Sequence, residues 1–95
     1  SIAKKRKDRF FSKYYWNEIT QYCNYFSHDD SSVLEIGCGN GDLLANIKGS
    51  KKTGIDFSSE YIRWARERHP ADGIEFIEMD ANQLALGQTY DLIIL

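Results

Sequence analysis

The sequence contains a single proline, Pro70, and two cysteines, Cys23 and Cys38, in 95 residues. The cysteines lie far apart, and the chain has no CxxC and no paired histidine. A disulfide framework and a metal site with ligand spacing are both disfavoured, and two reduced thiols in a cytoplasmic protein are expected. No stretch approaches the roughly 20 apolar residues of a membrane span. The basic N-terminal run is not followed by an apolar run, so it is not a signal peptide. Repeats, low-complexity segments and Pro/Gly/Ser linkers are also missing, which points to one domain. A net charge of −2 sets up no global field for nucleic acid or membrane. That charge is unevenly placed. Residues 1–13 hold six of the twelve basic residues (Lys4, Lys5, Arg6, Lys7, Arg9 and Lys13) against Asp8 alone, which leaves residues 14–95 at −7. Such a run can touch polyanions, although a solvated helix start or arm is its ordinary role.

What is present is alternation. In residues 8–26, Phe11, Tyr15, Ile19, Tyr22 and Phe26 recur every three or four positions and draw one apolar stripe, so the segment reads as a helix. Val33 to Ile36 is a short strand that runs into glycine. Asn40 to Lys48 reads as a helix with Leu43, Leu44 and Ile47 on one face and Gly49 as its stop. Thr53 to Phe57 is a second strand. Ser58 or Ser59 caps a further helix that buries Ile62 and Ala65 and stops at His69-Pro70. Ile74 to Met79 is a third strand, and residues 80–89 are a loop or one short helical turn. "YDLIIL", Tyr90 to Leu95, is an apolar run of the kind buried on both faces of a sheet. Strands alternating with helices of about ten residues specify an α/β, Rossmann-like fold of βαβ units on a mostly parallel sheet of about four strands, preceded by an N-terminal helix. In such a sheet a ligand sits beyond the carboxyl ends of the strands. Those ends here are Gly37, Asp56, Asp80 and Leu95.

Gly37, Gly39 and Gly41 form a G-x-G-x-G turn between the first strand and its helix. Glycine permits positive φ there and lets a ligand lie against bare backbone. The dinucleotide fingerprint G-x-G-x-x-G/A wants a small third residue at position 42, where this chain has Asp42. Its carboxylate repels a pyrophosphate, and Glu35 ahead of the turn adds a second negative group. No Gly-Lys-Ser/Thr follows, so a P-loop is excluded. The turn therefore suits a ligand without phosphates, preferably a cationic one. Asp56 falls where a carboxylate accepts hydrogen bonds from ribose hydroxyls, its other common role being a helix cap. Phe57 can flank a purine. Asp80 beside Ala81 leaves room for a flat base and offers an acceptor to its amine.

This constellation resembles the class I S-adenosylmethionine-dependent methyltransferases over about Val33 to Leu95. "LEIGCGNG", "GIDFSS", "MDA" and "YDLIIL" are similar to four of that family's motifs in order. The resemblance implies a methyltransferase with S-adenosyl-L-methionine as cofactor and no metal. It places Glu35, Gly37, Cys38, Gly39 and Gly41 on the methionine side, Asp56 on the ribose, and Phe57, Asp80 and Ala81 around the adenine. Leu95 falls near the sulfonium. In many members an N-terminal helix closes over the cofactor, a part that Tyr14, Tyr15 and Trp16 could take unless they are packing residues.

The family's sheet has seven strands, and four are legible here. The chain thus reads as an N-terminal fragment of a longer methyltransferase, with residues 1–30 a basic, aromatic helical segment and residues 31–95 an incomplete cofactor-binding domain. Acceptor-side and catalytic residues are not identifiable, and turnover by these 95 residues alone is not expected. The acidic remainder favours a small molecule, a sugar or lipid precursor, or a protein as acceptor, and the basic segment leaves nucleic acid open. A buried-type strand at a sheet edge invites pairing, so a homodimer through Tyr90 to Leu95 is anticipated. Two rival readings share the glycine turn: a nicotinamide- or flavin-binding Rossmann domain, and a non-catalytic module on the same scaffold.

Overall fold

The computed structural model describes residues 12–84 and 88–95, with side chains from residue 17 onward. Helix α1 is Ser12–Phe26, strand β1 Ser32–Ile36, helix α2 Asp42–Ala45 and strand β2 Lys51–Asp56. Helix α3 spans Ser59–Arg68 and strand β3 Ile74–Glu78, followed by a 3-10 turn, Ala81–Gln83, and strand β4, Leu92–Ile94. The sheet has the order β3-β2-β1-β4 and every pair is parallel. The chain first builds outward from β1 to β3. It then returns to lay β4 on the free side of β1, so the winding reverses beside β1. This is the expected α/β architecture.

Register sorts the side chains into two faces, because successive residues of a strand alternate. Val33 lies between Lys52 and Leu92, and Glu35 between Gly54 and Ile94, with Ile74 and Phe76 next in those rows. This face packs against all three helices. Val33, Leu43, Leu44, Ile47, Ile62, Ala65 and Phe76 form its core, joined by Cys23 and Cys38. The other face carries Leu34 and Ile55, both almost fully buried, together with the half-buried Ile36 and Ile77. Each fully buried leucine or isoleucine contributes roughly 2 kcal/mol by leaving water.

Helix α3 follows its sequence signals. The Ser58 hydroxyl accepts from the Tyr61 N–H at 3.2 Å, Ile62 and Ala65 are buried, and His69 is the C-cap.

Helix α1 departs from the expected stripe. Its buried line runs through Ile19, Cys23 and the following Ser27, while Tyr22 is 70% exposed and Phe26 50%. Tyr22 and Tyr25 instead pack edge-on against Phe26 on the outer side. The docking contact explains the choice. The Asn24 side chain accepts from Lys48 N–H and donates to the Asn46 carbonyl, and the Ser27 hydroxyl donates to the Lys48 carbonyl. Small residues admit that close approach and aromatic ones do not. The expected stripe residues Phe11 and Tyr15 lie outside the described residues or side chains.

Helix α2 is four residues long rather than the expected Asn40 to Lys48. Beyond Ala45 the backbone tightens, with Asn46 N–H on Leu43 O and Ile47 N–H on Leu44 O. The Lys52 ammonium then takes the carbonyls of Leu44 and Ile47, both at 3.0 Å. Side chains that satisfy carbonyls from outside remove the reason for another helical turn.

Strand β4 is also shorter than its apolar run and is not buried on both faces. Among the described residues it pairs with β1 alone, with Ile93 52% exposed. Asp91 anchors its start by accepting from Ser32 N–H at 2.8 Å.

Candidate cofactor site

The turn after β1 is made of three glycines at φ +77, +57 and +84 for Gly37, Gly39 and Gly41. At Gly37 a side chain would meet open space. At Gly41 a Cβ would lie 2.6 Å from Phe76 Cζ and 3.3 Å from His69 Cδ2. The two positions therefore need glycine for different reasons: Gly37 for its backbone alone, Gly41 also for its lack of volume.

Four of the turn's N–H groups are spent inside the protein. Gly37 and Cys38 donate to Ile55 O at 2.8 and 3.0 Å, Gly41 to Cys38 O at 3.0 Å, and Gly39 to Asp56 Oδ2 at 2.9 Å. A phosphate cradle requires such donors to point outward. This loop turns them inward, and Asp42 occupies the start of the short α2. Burial pushes the Asp42 carboxyl up, but hydrogen bonds from Arg68 and His69, with their charges, outweigh it and hold it below the usual carboxylate value. The helix start therefore carries a carboxylate above the acid range.

Asp56 links the loop to the next strand. Its Oδ2 holds Gly39, and its Oδ1 accepts from Ser58 N–H at 2.9 Å. A carboxylate has about four acceptor positions, so two amides leave capacity for two further donors. Asp80 is similarly fixed. Its Oδ1 accepts from Asn82 N–H at 2.9 Å, and its own N–H donates to Gln83 Oε1 at 3.2 Å. Met79 N–H donates to Asp56 O at 2.9 Å, tying the ends of β2 and β3 together.

These ends enclose a crevice of about 470 Å³. Of the residues expected from sequence, Gly37, Asp56, Phe57, Asp80 and Ala81 line it. Ile36, Ser58, Tyr61 and Met79 also line it and were not anticipated. Ser58 was legible only as a cap. Tyr61 follows it by one helical turn, which brings its ring to the same mouth.

The other expected residues lie elsewhere. Gly39 and Gly41 are buried within the loop. Glu35 is buried on the helix-covered face of β1, where its charge, after burial, helps push the Cys23 thiol up. Cys38 is fully buried, and a methyl at Gly54 would stand 2.9 Å from its Sγ. Leu95 is exposed just beyond β4. The side chains of Tyr14, Tyr15 and Trp16 lie outside those described. A second cavity, about 330 Å³, lies across the opposite face of the sheet between Leu34, Thr53 and Tyr90. It lacks the strand-end carboxylates, so the crevice at the carboxyl ends is the candidate site. Among the described residues no cluster of three or more His, Cys, Asp or Glu is placed to hold a metal ion. No helix among them is long and apolar enough to cross a membrane.

Known proteins match this arrangement. The malonyl-[acyl-carrier protein] O-methyltransferase of Acetivibrio thermocellus is 35% identical over 82 residues, which cover 82% of this chain and 29% of that protein. The fatty-acid O-methyltransferase of Mycolicibacterium smegmatis is 39% identical over 56 residues, or 55% of this chain and 20% of that protein. Among solved structures, the plantazolicin methyltransferase BpumL, in complex with a triazolic desmethylPZN analog and SAH, superposes with a TM-score of 0.73 at 25% identity. That match covers 97% of this chain and 38% of the other. The chain thus spans about a fifth to somewhat over a third of the length of these relatives. The family model described as a methyltransferase domain matches residues 33–95, and with it the chain belongs to the methyltransferase domain family.

Proposed function

We propose that residues 31–95 are the S-adenosylmethionine-binding part of a methyltransferase, with residues 1–30 as its N-terminal segment, and that the whole protein methylates a small-molecule or lipid-linked acceptor. The observation that carries this reading is Asp56. Two backbone amides pin its carboxylate at the rim of the crevice, with acceptor capacity to spare.

The residues fit the cofactor. A crevice of about 470 Å³ is in the range of small-molecule sites. Its carboxylates suit a ligand that carries a sulfonium and an ammonium, and its glycine turn offers no phosphate cradle. Asp56 would accept from the ribose hydroxyls. Phe57, Asp80 and Ala81 would border the adenine, with Tyr61 lining the same crevice. Gly37 and the adjoining backbone would face the methionine part, with Glu35, Cys38, Gly39 and Gly41 supporting that turn and Leu95 near the sulfonium. When bound, S-adenosylmethionine would supply a methyl carbon on positively charged sulfur, to which an acceptor nucleophile bonds in line as the carbon–sulfur bond breaks and S-adenosylhomocysteine leaves. This chain's contribution is placement, which accounts for much of such a rate.

The acceptor class is suggested by relatives named for fatty-acid and malonyl-[acyl-carrier protein] substrates. Buried Cys23 and Cys38, neither of them in a disulfide, suit a reducing, cytoplasmic setting. Exposed Ile93 on β4, an edge strand among the described residues, supports a homodimer through Tyr90 to Leu95.

Isothermal calorimetry with S-adenosylhomocysteine and with NAD tests the site. S-adenosylhomocysteine binding is expected, with Asp56→Ala weakening it about 10- to 100-fold through lost hydrogen bonds to a charged group. NAD binding without S-adenosylhomocysteine binding would sink the reading. An affinity unchanged in a folded Asp56→Ala protein would remove the ribose assignment.

A further inference from the structure

The glycine turn is fixed at its start by the sheet and at its middle by Asp56. Its far end, at Gly41 and Asp42, is held by a different group. His69, the C-cap of α3, lays its ring against Phe76 at a centroid distance of 6.4 Å and under Gly41. The side chain is only 14% exposed. Its Nε2 lies 2.9 Å from Asp42 Oδ1 and its Nδ1 3.0 Å from Asp72 Oδ2. Arg68 Nε donates to the same Asp42 oxygen at 2.7 Å. The charges around the ring are therefore Asp42 from α2, Asp72 from the α3–β3 connection and Arg68 from α3. The Lys52 ammonium of β2, whose charge interacts with Asp72, stands behind them.

A carboxylate only accepts hydrogen bonds, and a neutral imidazole donates from one nitrogen. With one proton, one of the two contacts sets lone pair against lone pair. With two protons, both become charge-assisted hydrogen bonds. We propose that His69 is a positioning residue for the glycine turn: its doubly protonated ring ties Asp42 to Asp72 and holds the turn in the form that walls the crevice. The turn contains three residues of maximal backbone freedom, so an anchor at its end restricts it strongly. A second proton on the ring therefore tightens the anchor, and its loss loosens it. The consequence for cofactor affinity rests on the function proposed above, whereas the effect on the turn does not.

NMR on the full chain tests both. From pH 5.5 to 8.5, the His69 ring resonances are followed together with hydrogen exchange of the Gly39, Gly41 and Ala45 amides, corrected for intrinsic pH dependence. Exchange is expected to rise about tenfold as the ring loses its second proton, with the ring's own midpoint, as loss of one charged hydrogen bond implies. His69→Gln removes the step. Should His69→Gln fail to fold, Asp72→Asn, at a more exposed carboxylate, is expected to shrink the step about threefold. Loop amides that ignore the His69 titration, or a step that survives either variant unchanged, overturn the proposal. Calorimetry with S-adenosylhomocysteine over the same range separates the two ideas. Affinity falling with the amide step supports both. Affinity flat across the range overturns the positioning role. Absence of binding at every pH, with the amide step intact, overturns the cofactor reading and leaves the clamp standing.

Discussion

Two glycines four residues apart provide a quantitative test of what the turn requires. Gly37→Ala places a methyl in open space at φ +77, so its cost is backbone strain, about 1 kcal/mol. Gly41→Ala imposes the same strain at φ +84 and sets the methyl 2.6 Å from Phe76 Cζ and 2.7 Å from Cε1. Phe76 is 4% exposed and packed in the core, so it cannot swing aside. Overpacking of this kind adds about 1–3 kcal/mol, for a total near 3 kcal/mol. A 95-residue chain has roughly 5–14 kcal/mol of stability at ordinary per-residue values, so this loss is a large share of it. Urea and thermal unfolding, each followed by circular dichroism, measure both variants. The midpoint of thermal unfolding is expected to fall by about 4–8 °C for Gly37→Ala and about 12–24 °C for Gly41→Ala. In a Phe76→Leu background the cost of Gly41→Ala should approach that of Gly37→Ala, since the clashing ring atoms are gone. Equal costs for the two variants in the native background would refute the steric argument. Two neutral substitutions would refute the strain argument as well.

Other outcomes follow from single contacts. Ser58→Ala removes the acceptor for Tyr61 N–H and should destabilise the chain by about 1 kcal/mol in the same urea experiment. Asp42 has a folded value below its unfolded one, so its contribution is fully present above the unfolded value and is lost as pH falls through the folded one. Acid unfolding below about pH 4 should therefore be shallower in Asp42→Asn than in the native chain. Cys23 is buried with its thiol pushed up, first by burial and then by Glu35, and Cys38 is sealed beneath the turn. Both should resist a thiol reagent at pH 8 and react fully only in urea; rapid native labelling of either would contradict the packing described.

The order of strands and helices was legible because it depends on local signals. Apolar runs ending in Gly37 and Asp56, the Ser58 cap and the His69-Pro70 stop act over a few residues each. The chemical bias of the turn was legible too, since Asp42 stands where a dinucleotide loop needs a small residue. Partnership across the fold was not. The buried face of α1 is selected by the Asn24 and Ser27 contacts to Asn46 and Lys48, not by its aromatic periodicity. The early end of α2 depends on Lys52 arriving from the next strand. Inward use of the turn's amides, the double duty of Asp56 and the seating of His69 between Asp42 and Asp72 each include a contact between residues 17 to 27 positions apart in sequence. Periodicity and caps record how a segment pairs with itself. Which donor meets which acceptor across the sheet is decided only when the strands are in register and the helices are laid against them.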